Sequence, residues 1–277
     1  MDIGLKIGPA DERDALRRAA TEAERVGVAS VWLSERIVTP LDKPHPYQPV
    51  VDPWVALSFV AAVTDRVRLG TSVSQIATRP AVLMARELAT LDRLSAGRLI
   101  VGVGAGWVIE EFVTTGIPFE DRGGRLSEMI RVLRHLWTTP NKPWDGKFYN
   151  IPPVGIVSPF APGGPPIIAG ALSDPGFRRV AKYCDGWTAT GGTPEQIAAA
   201  KAKIDALRAR YGRTGAFRVY VQVPPPQNTD AAGELARSYR DAGADELILT
   251  YSEPVPEAFL RAEAPLRALI ETAAALP

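Results

Sequence analysis

Short apolar runs and amphipathic stretches alternate along this chain almost from end to end. The runs fall at residues 3–7, 30–33, 67–74, 99–103, 166–169, 186–189, 218–223 and 246–250. They are too short for helices and are bounded by turn residues, so they read as strands buried on both faces. Between them, helical patterns cover 11–26, 53–63, 81–94, 126–137, 174–183, 194–211, 231–242 and 257–274. Thr193-Pro194-Glu195 supplies a capping hydroxyl, a proline at the first helical position and an early acid, and Ser173-Asp174-Pro175 repeats the pattern. Gly27, Gly97, Gly212 and Gly243 follow helices, where a left-handed cap favours glycine. Strict alternation implies parallel pairing, and about eight units is the number that closes a ring of strands. The pattern predicts the α/β class: a (β/α)8 TIM barrel with an insertion, with an open doubly wound sheet as the rival.

Two segments break the rhythm. Residues 39–53 are proline-rich and directly follow the second strand, which places them at the rim where they could cover a ligand. The second, at about 140–166, adds more prolines and Gly163-Gly164, with residues 147–157 resembling an inserted hairpin. The chain therefore reads as a single barrel domain, 1–277, interrupted once.

Composition removes several functions. A formal net charge of +1 gives no electrostatic reason to expect nucleic acid or a membrane surface. No apolar run is long enough to span a bilayer. One cysteine cannot form an internal disulfide, so Cys184 is expected as a reduced core thiol. The opening MDIGLKIG lacks a basic stretch followed by an apolar core, and a cytoplasmic protein is expected. His45 and His135 lie far apart, so spacing assembles neither a metal cluster nor a nucleophilic triad.

Candidate chemistry gathers where strands end. The segment RLSAGRLIVGVGAGW, 93–107, sets an apolar strand against Gly102, Gly104 and Gly106, and a glycine lets a flat ring or a phosphate approach the backbone. Its GVGAG lacks the third glycine of a dinucleotide fingerprint and follows a fourth strand, not a first. Two further turns, one with Gly170 and Ala171 and the other with Gly191, Gly192 and Thr193, lead from neighbouring strands into helices. Exposed N–H groups and the positive helix end suit a phosphate there. Arg178 and Arg179 read as solvated helix charges, and Trp107 and Trp187 as pocket walls or core. At the second strand's end, Glu35 is the nearest group able to move a proton. Arg36 beside it stays protonated and suits an anionic substrate or a reduced ring. The other reading of Glu35 and Arg36 is a rim salt bridge, and as a rim charge Arg36 is expected to contribute little to the fold.

The blocks SVWLSER (30–36), RVRLGTSV (66–73), ELATLDRLSAGRLIVGVGAGW (87–107), RGGRLSEMIRVLRHLW (122–137) and Asp185-Gly186-Trp187 together resemble the bacterial luciferase-like superfamily. More narrowly, they resemble its actinobacterial branch that uses the deazaflavin coenzyme F420. The resemblance runs to about Pro194. It implies a barrel with an insertion, FMN or F420 at the C-terminal rim, and a homodimer. It also implies a cis peptide at Ser72-Val73 against the back of the ring, with Gly104, Ala105 and Gly106 as a strip of small residues near it. Many relatives carry histidine where this chain has Arg36. The polyglutamate tail of F420 would need an open rim tolerant of anions, which cations around 39–53 could offer. The expected function is hydride transfer between F420 and a small organic substrate. The alternatives are an FMN-dependent monooxygenase, a barrel that binds a flavin-like ligand without turnover, and an NAD-binding doubly wound domain.

Overall fold

Eight parallel strands pair in a closed ring, so the rival open sheet is ruled out. The computed structural model describes residues 1–8, 12–42, 50–251 and 263–276. His45 with the rest of 43–49 in the proline-rich 39–53 segment, and the start of the last predicted helix, lie outside the described residues. In chain order the elements begin with β1 (Asp2–Lys6), α1 (Arg13–Val26), β2 (Ser30–Leu33), α2 (Pro53–Val63), β3 (Arg68–Thr71) and α3 (Ala81–Leu94). Next come β4 (Leu99–Val103), α4 (Ile109–Thr115), α5 (Arg122–Thr138), β5 (Trp144–Asp145) and β6 (Asn150–Ile151). The chain continues through β7 (Ile167–Gly170), α6 (Asp174–Tyr183), β8 (Gly186–Thr190), α7 (Pro194–Arg210), β9 (Arg218–Val223), α8 (Thr229–Asp241), β10 (Glu246–Thr250) and α9 (Glu263–Ala275). The ring runs β1, β2, β3, β4, β7, β8, β9, β10 and back to β1.

Local chemistry explains most boundaries. Gly27 closes α1 in the left-handed conformation at φ 89° and donates its N–H to Ala23. Asp52 caps α2 by accepting from the backbone N–H of Trp54 and Val55 ahead of Pro53. Thr193 and Gln196 form a reciprocal capping box on α7. Ser173 sits at the equivalent position of α6 but makes no side-chain cap bond, contrary to the sequence reading. Three other expectations need correction. The helix expected from 126 starts at Arg122, and α4 was unforeseen. The inserted hairpin pairs Trp144 with Ile151 and Asp145 with Asn150, so it opens before 147. Arg179 is not a solvated charge: it is half-buried and donates to Ser127 Oγ at 2.9 Å and the Gly123 carbonyl at 3.0 Å, tying α6 to α5.

Side chains that bond between strands that are not neighbours must do so through the barrel interior, and this identifies its layers. At the N-terminal end, the first residues of five strands meet. Glu246 of β10, wholly buried, takes Arg68 of β3 at 2.9 Å, the Trp32 indole N–H at 3.0 Å and the Ser30 hydroxyl of β2. Asp2 of β1 bridges Arg68 and Arg218, each at 2.6 Å. Burial pushes the Glu246 carboxyl up, against the pull of the two arginines. Above this plug lies an apolar layer of Trp32, Ile100, Ile168, Tyr220 and Ile248, with Trp32 edge-on to Tyr220 at 5.3 Å. Gly70 makes room for the indole, since a Cβ there would lie 2.3 Å from the Trp32 ring. The outward positions of the strands pack on the helices in the main core. Cys184 belongs to that core, and burial pushes its thiol up to about 12, so it is inert at neutral pH. Among the described residues, no helix is long and apolar enough to cross a membrane.

Candidate active site

The C-terminal mouth of the barrel is built from the segments that follow each strand. After β3 the Ser72-Val73 peptide is cis, as the resemblance implies. The chain then rejoins β4: Ser74 N–H donates to the Gly102 carbonyl at 2.8 Å and Gly104 N–H to the Ser74 carbonyl at 2.9 Å. Val73 stands between the ends of two neighbouring strands. A Cβ on Gly104 would come within 2.5 Å of Val73 Cγ2, and one on Gly170 within 3.4 Å of Cγ1. Glycine at both positions leaves a floor with no side chain except Val73. Ala105 follows, half-buried, and Gly106 turns at φ 79° against Phe112 and Gln75.

Glu35 and Arg36, adjacent in sequence, enter buried networks with different ion-pair partners, which Gln75 joins by donating to both acids. Glu35 accepts from Ser74 Oγ at 2.8 Å, Gln75 N–H at 2.6 Å and Arg79 at 2.5 Å. Arg79 also binds Asp52 at 2.6 Å. Burial pushes the Asp52 carboxyl up, but Arg79 and two backbone donors more than reverse this and hold it below the usual range. Arg36 donates to Glu111 at 2.9 Å, with 9% of the arginine side chain and none of the carboxylate side chain exposed. Glu111 accepts as well from Ile37 N–H at 2.9 Å and Gln75 Nε2 at 2.5 Å. Arg36 lies under the ring of Trp107, 5.1 Å from its centre, and Trp107 is 57% exposed. The expectation of a lightly held rim arginine is therefore corrected: Arg36 is half of a buried ion pair.

The two phosphate turns differ. At α6 the turn through Gly170 and Ala171 reaches a helix start whose N–H groups have no side-chain cap. Asp174 in its first turn is neutralised by Lys203 at 2.5 Å. At α7 the Thr193 N–H and hydroxyl are engaged with Gln196 and Glu195. Gly191 and Gly192 remain, at φ 81° and 115°, and a Cβ on Gly191 would meet nothing within 4 Å. Trp187 lies in the core and donates its indole N–H to the Ala171 carbonyl, while Trp107 alone of the two tryptophans reaches the rim. His135 is remote, bonded to Lys142 and Thr139 near the inserted hairpin. Among the described residues no cluster of His, Cys, Asp and Glu could hold a metal.

Three residues that join Ser72 across the mouth, Lys6, Gln222 and Thr188, were not singled out from the sequence. Lys6 of β1 donates to Gln222 Oε1 of β9 at 3.0 Å, Gln222 donates to Ser72 Oγ at 2.8 Å, and Ser72 Oγ lies 3.3 Å from Thr188 Oγ1 of β8. The signal was present in the alternation. In DIGLK and RVYVQV the aliphatic residues face the helices, so Lys6 and Gln222 fall on the inward face.

The sequence profile described as luciferase-like monooxygenase matches residues 3–275. An uncharacterized protein of Mycobacterium tuberculosis is 29% identical over 273 residues, covering 86% of this chain and 97% of its own. An F420-dependent glucose-6-phosphate dehydrogenase of Amycolatopsis mediterranei is 38% identical over 154 residues, 53% of this chain and 43% of that enzyme. Among solved structures, an F420-dependent secondary alcohol dehydrogenase in complex with an F420-acetone adduct superposes with a TM-score of 0.83. It has 16% identity and covers 98% of each chain, a likeness of fold.

Proposed function

Because this chain belongs to the luciferase-like monooxygenase family, we propose that it is an oxidoreductase that moves a hydride between coenzyme F420 and a small organic substrate at the barrel mouth. The observation that carries this reading is the floor made by Val73 between Gly104 and Gly170, beside an uncapped helix start. A flat tricyclic ring needs such a side-chain-free surface, and a phosphate on its side chain needs the N–H groups of the α6 turn. Those residues fit the cofactor: Ser72, Val73, Gly104, Ala105 and Gly106 would support the ring. Gly170 and Ala171 would hold the phosphate, with Gly191, Gly192 and the Thr193 turn as its far wall. Similarity to F420-dependent enzymes supports F420 over FMN. F420 supplies a two-electron hydride carrier, while the protein supplies position and electrostatics.

Arg36 and Glu35 act here by shape and charge. Arg36, fixed by Glu111, presents a permanent positive charge beneath Trp107 at the rim. Glu35 pins the Ser74-Gln75 segment that follows the platform and is itself paired with Arg79. Titration of the purified protein with F420 and with FMN, followed by fluorescence, tests the reading. F420 should bind the tighter of the two, and Gly170→Val should weaken it at least tenfold. A Cβ at Gly170 lies at an acceptable 3.4 Å from Val73, so the added bulk takes space from the ring and not from the fold. Equal or tighter FMN binding would turn the assignment to a flavin, and binding of neither would end it.

A further inference from the structure

We propose that Lys6 is the acid–base residue of this mouth, exchanging a proton with the substrate oxygen during hydride transfer; the role rests on the oxidoreductase reading above. The first support is elimination among the described residues. Glu35 is held by Arg79, Glu111 by Arg36, and an arginine does not release its proton. Lys6 has no ion pair among the described residues and only a neutral amide, Gln222, as its hydrogen-bond partner. An ammonium has three donors, so two remain for a ligand.

The second support is placement. Lys6 reaches across the interior from β1 to β9, and Gln222 joins it to Ser72, the residue that precedes the Val73 platform. Thr250, its register partner on β10, has a buried hydroxyl with no partner among the described residues, while Tyr251 next to it packs on the main core. A carbonyl or alcohol oxygen above Val73 would therefore meet an ammonium and an unspent hydroxyl on one side of the mouth. Of the groups around Lys6, Gln222, Ser72, Thr188 and Thr250 do not titrate. Burial pushes the Tyr251 phenol up to about 12, which keeps it neutral. Burial also brings the Lys6 ammonium down to about 8, inside the working range of an acid–base catalyst.

The chemistry balances. As the carbonyl carbon accepts the hydride, its π pair moves to oxygen and Lys6 Nζ gives that oxygen a proton, forming the alcohol. The two electrons that the carbonyl gains would be supplied by reduced F420 when bound, and Nζ recovers a proton from solvent. In the reverse direction the neutral amine takes the hydroxyl proton as the carbon loses hydride.

Two measurements test this. Acetic anhydride labelling of the cofactor-free protein across pH, read by mass spectrometry, should show Lys6 reacting with a midpoint near pH 8, well below the other lysines. A midpoint near 10.5 would overturn the proposal without any substrate. The second follows oxidation of reduced F420 by acetone, cyclohexanone and pyruvate. The wild-type rate should fall above about pH 8. Lys6→Met should lose at least a hundredfold at pH 7, and Lys6→Arg should retain part of the charge effect but lose the pH limb. An unchanged rate and profile in Lys6→Met would refute the role. A low labelling midpoint together with no turnover of F420 by the wild type would instead sink the oxidoreductase reading, and the catalytic role with it.

Discussion

The two ends of one barrel treat buried charge in opposite ways. At the N-terminal end, Asp2, Arg68, Arg218 and Glu246 neutralise one another, and Ser30 and Trp32 fill the remaining valences of the acid. At the C-terminal end the acids near the platform are paired just as fully, yet among the described residues Lys6 is left with a neutral amide. A charge closed off by partners stabilises geometry and does nothing else. One held half-buried with no ion pair among the described residues is an energetic cost that folding alone does not explain, in keeping with the proposal that the mouth is the working end.

The largest effects should come from opening the closed networks. Glu246→Ala leaves Arg68 and Arg218 to share Asp2 alone and takes an acceptor from Ser30 and Trp32 in the barrel interior, and should destabilise by about 3 kcal/mol in chemical denaturation. Arg36→Ala should cost about 3 kcal/mol, because it leaves the Glu111 carboxylate buried with only its amide donors. A loss under about 1 kcal/mol for either variant would mean that the two ends are not as tightly closed as their geometry implies.

Lys6→Met should act with the opposite sign. Burial lowers the ammonium from 10.5 to about 8, so between those values the unfolded chain binds the proton and the folded chain does not. Stability from this group therefore rises from about pH 8 to about 10.5 and is lowest below 8. Methionine removes the penalty and forfeits one hydrogen bond to Gln222, for a net gain of about 1–2 kcal/mol at pH 7. The gain should vanish by about pH 10.5, as thermal melts across that range would record. A variant more stable yet inactive is the behaviour of a residue kept for chemistry.

The smallest stability effect should come from Ser173→Asp. Aspartate caps a helix as well as serine, so stability should stay within about 0.5 kcal/mol. The new carboxylate would occupy the place proposed for the phosphate and should weaken F420 at least tenfold in the same titration. Unchanged affinity would move the phosphate to the Gly191-Gly192 turn.

The fold was legible because its signals are local. Strand and helix alternation, Gly27 at a helix end and Thr193 with Gln196 at a helix start are each decided within a few residues. The site was legible only in part. Val73, Gly104 and Gly170 could be placed at strand ends, and the structure packs them together. The partners of Glu35 and Arg36 could not be foreseen. Arg79 lies 44 positions from Glu35, and Glu111 lies 75 positions from Arg36 on a short helix that escaped notice. Lys6 was readable from the inward register of β1, but its pairing with a neutral amide, and with no acid among the described residues, emerges only when the opposite strands are brought together.

The central claim is hydride transfer without oxygen, and a single-turnover experiment tests it most directly. Reduced F420 bound to the protein is mixed anaerobically with acetone, cyclohexanone or pyruvate, and the recovery of the oxidised cofactor's absorbance is followed. The account predicts reoxidation in step with formation of the alcohol, with no oxygen present. Reoxidation only after oxygen is admitted, with an oxygenated product, would contradict it and make the protein a monooxygenase.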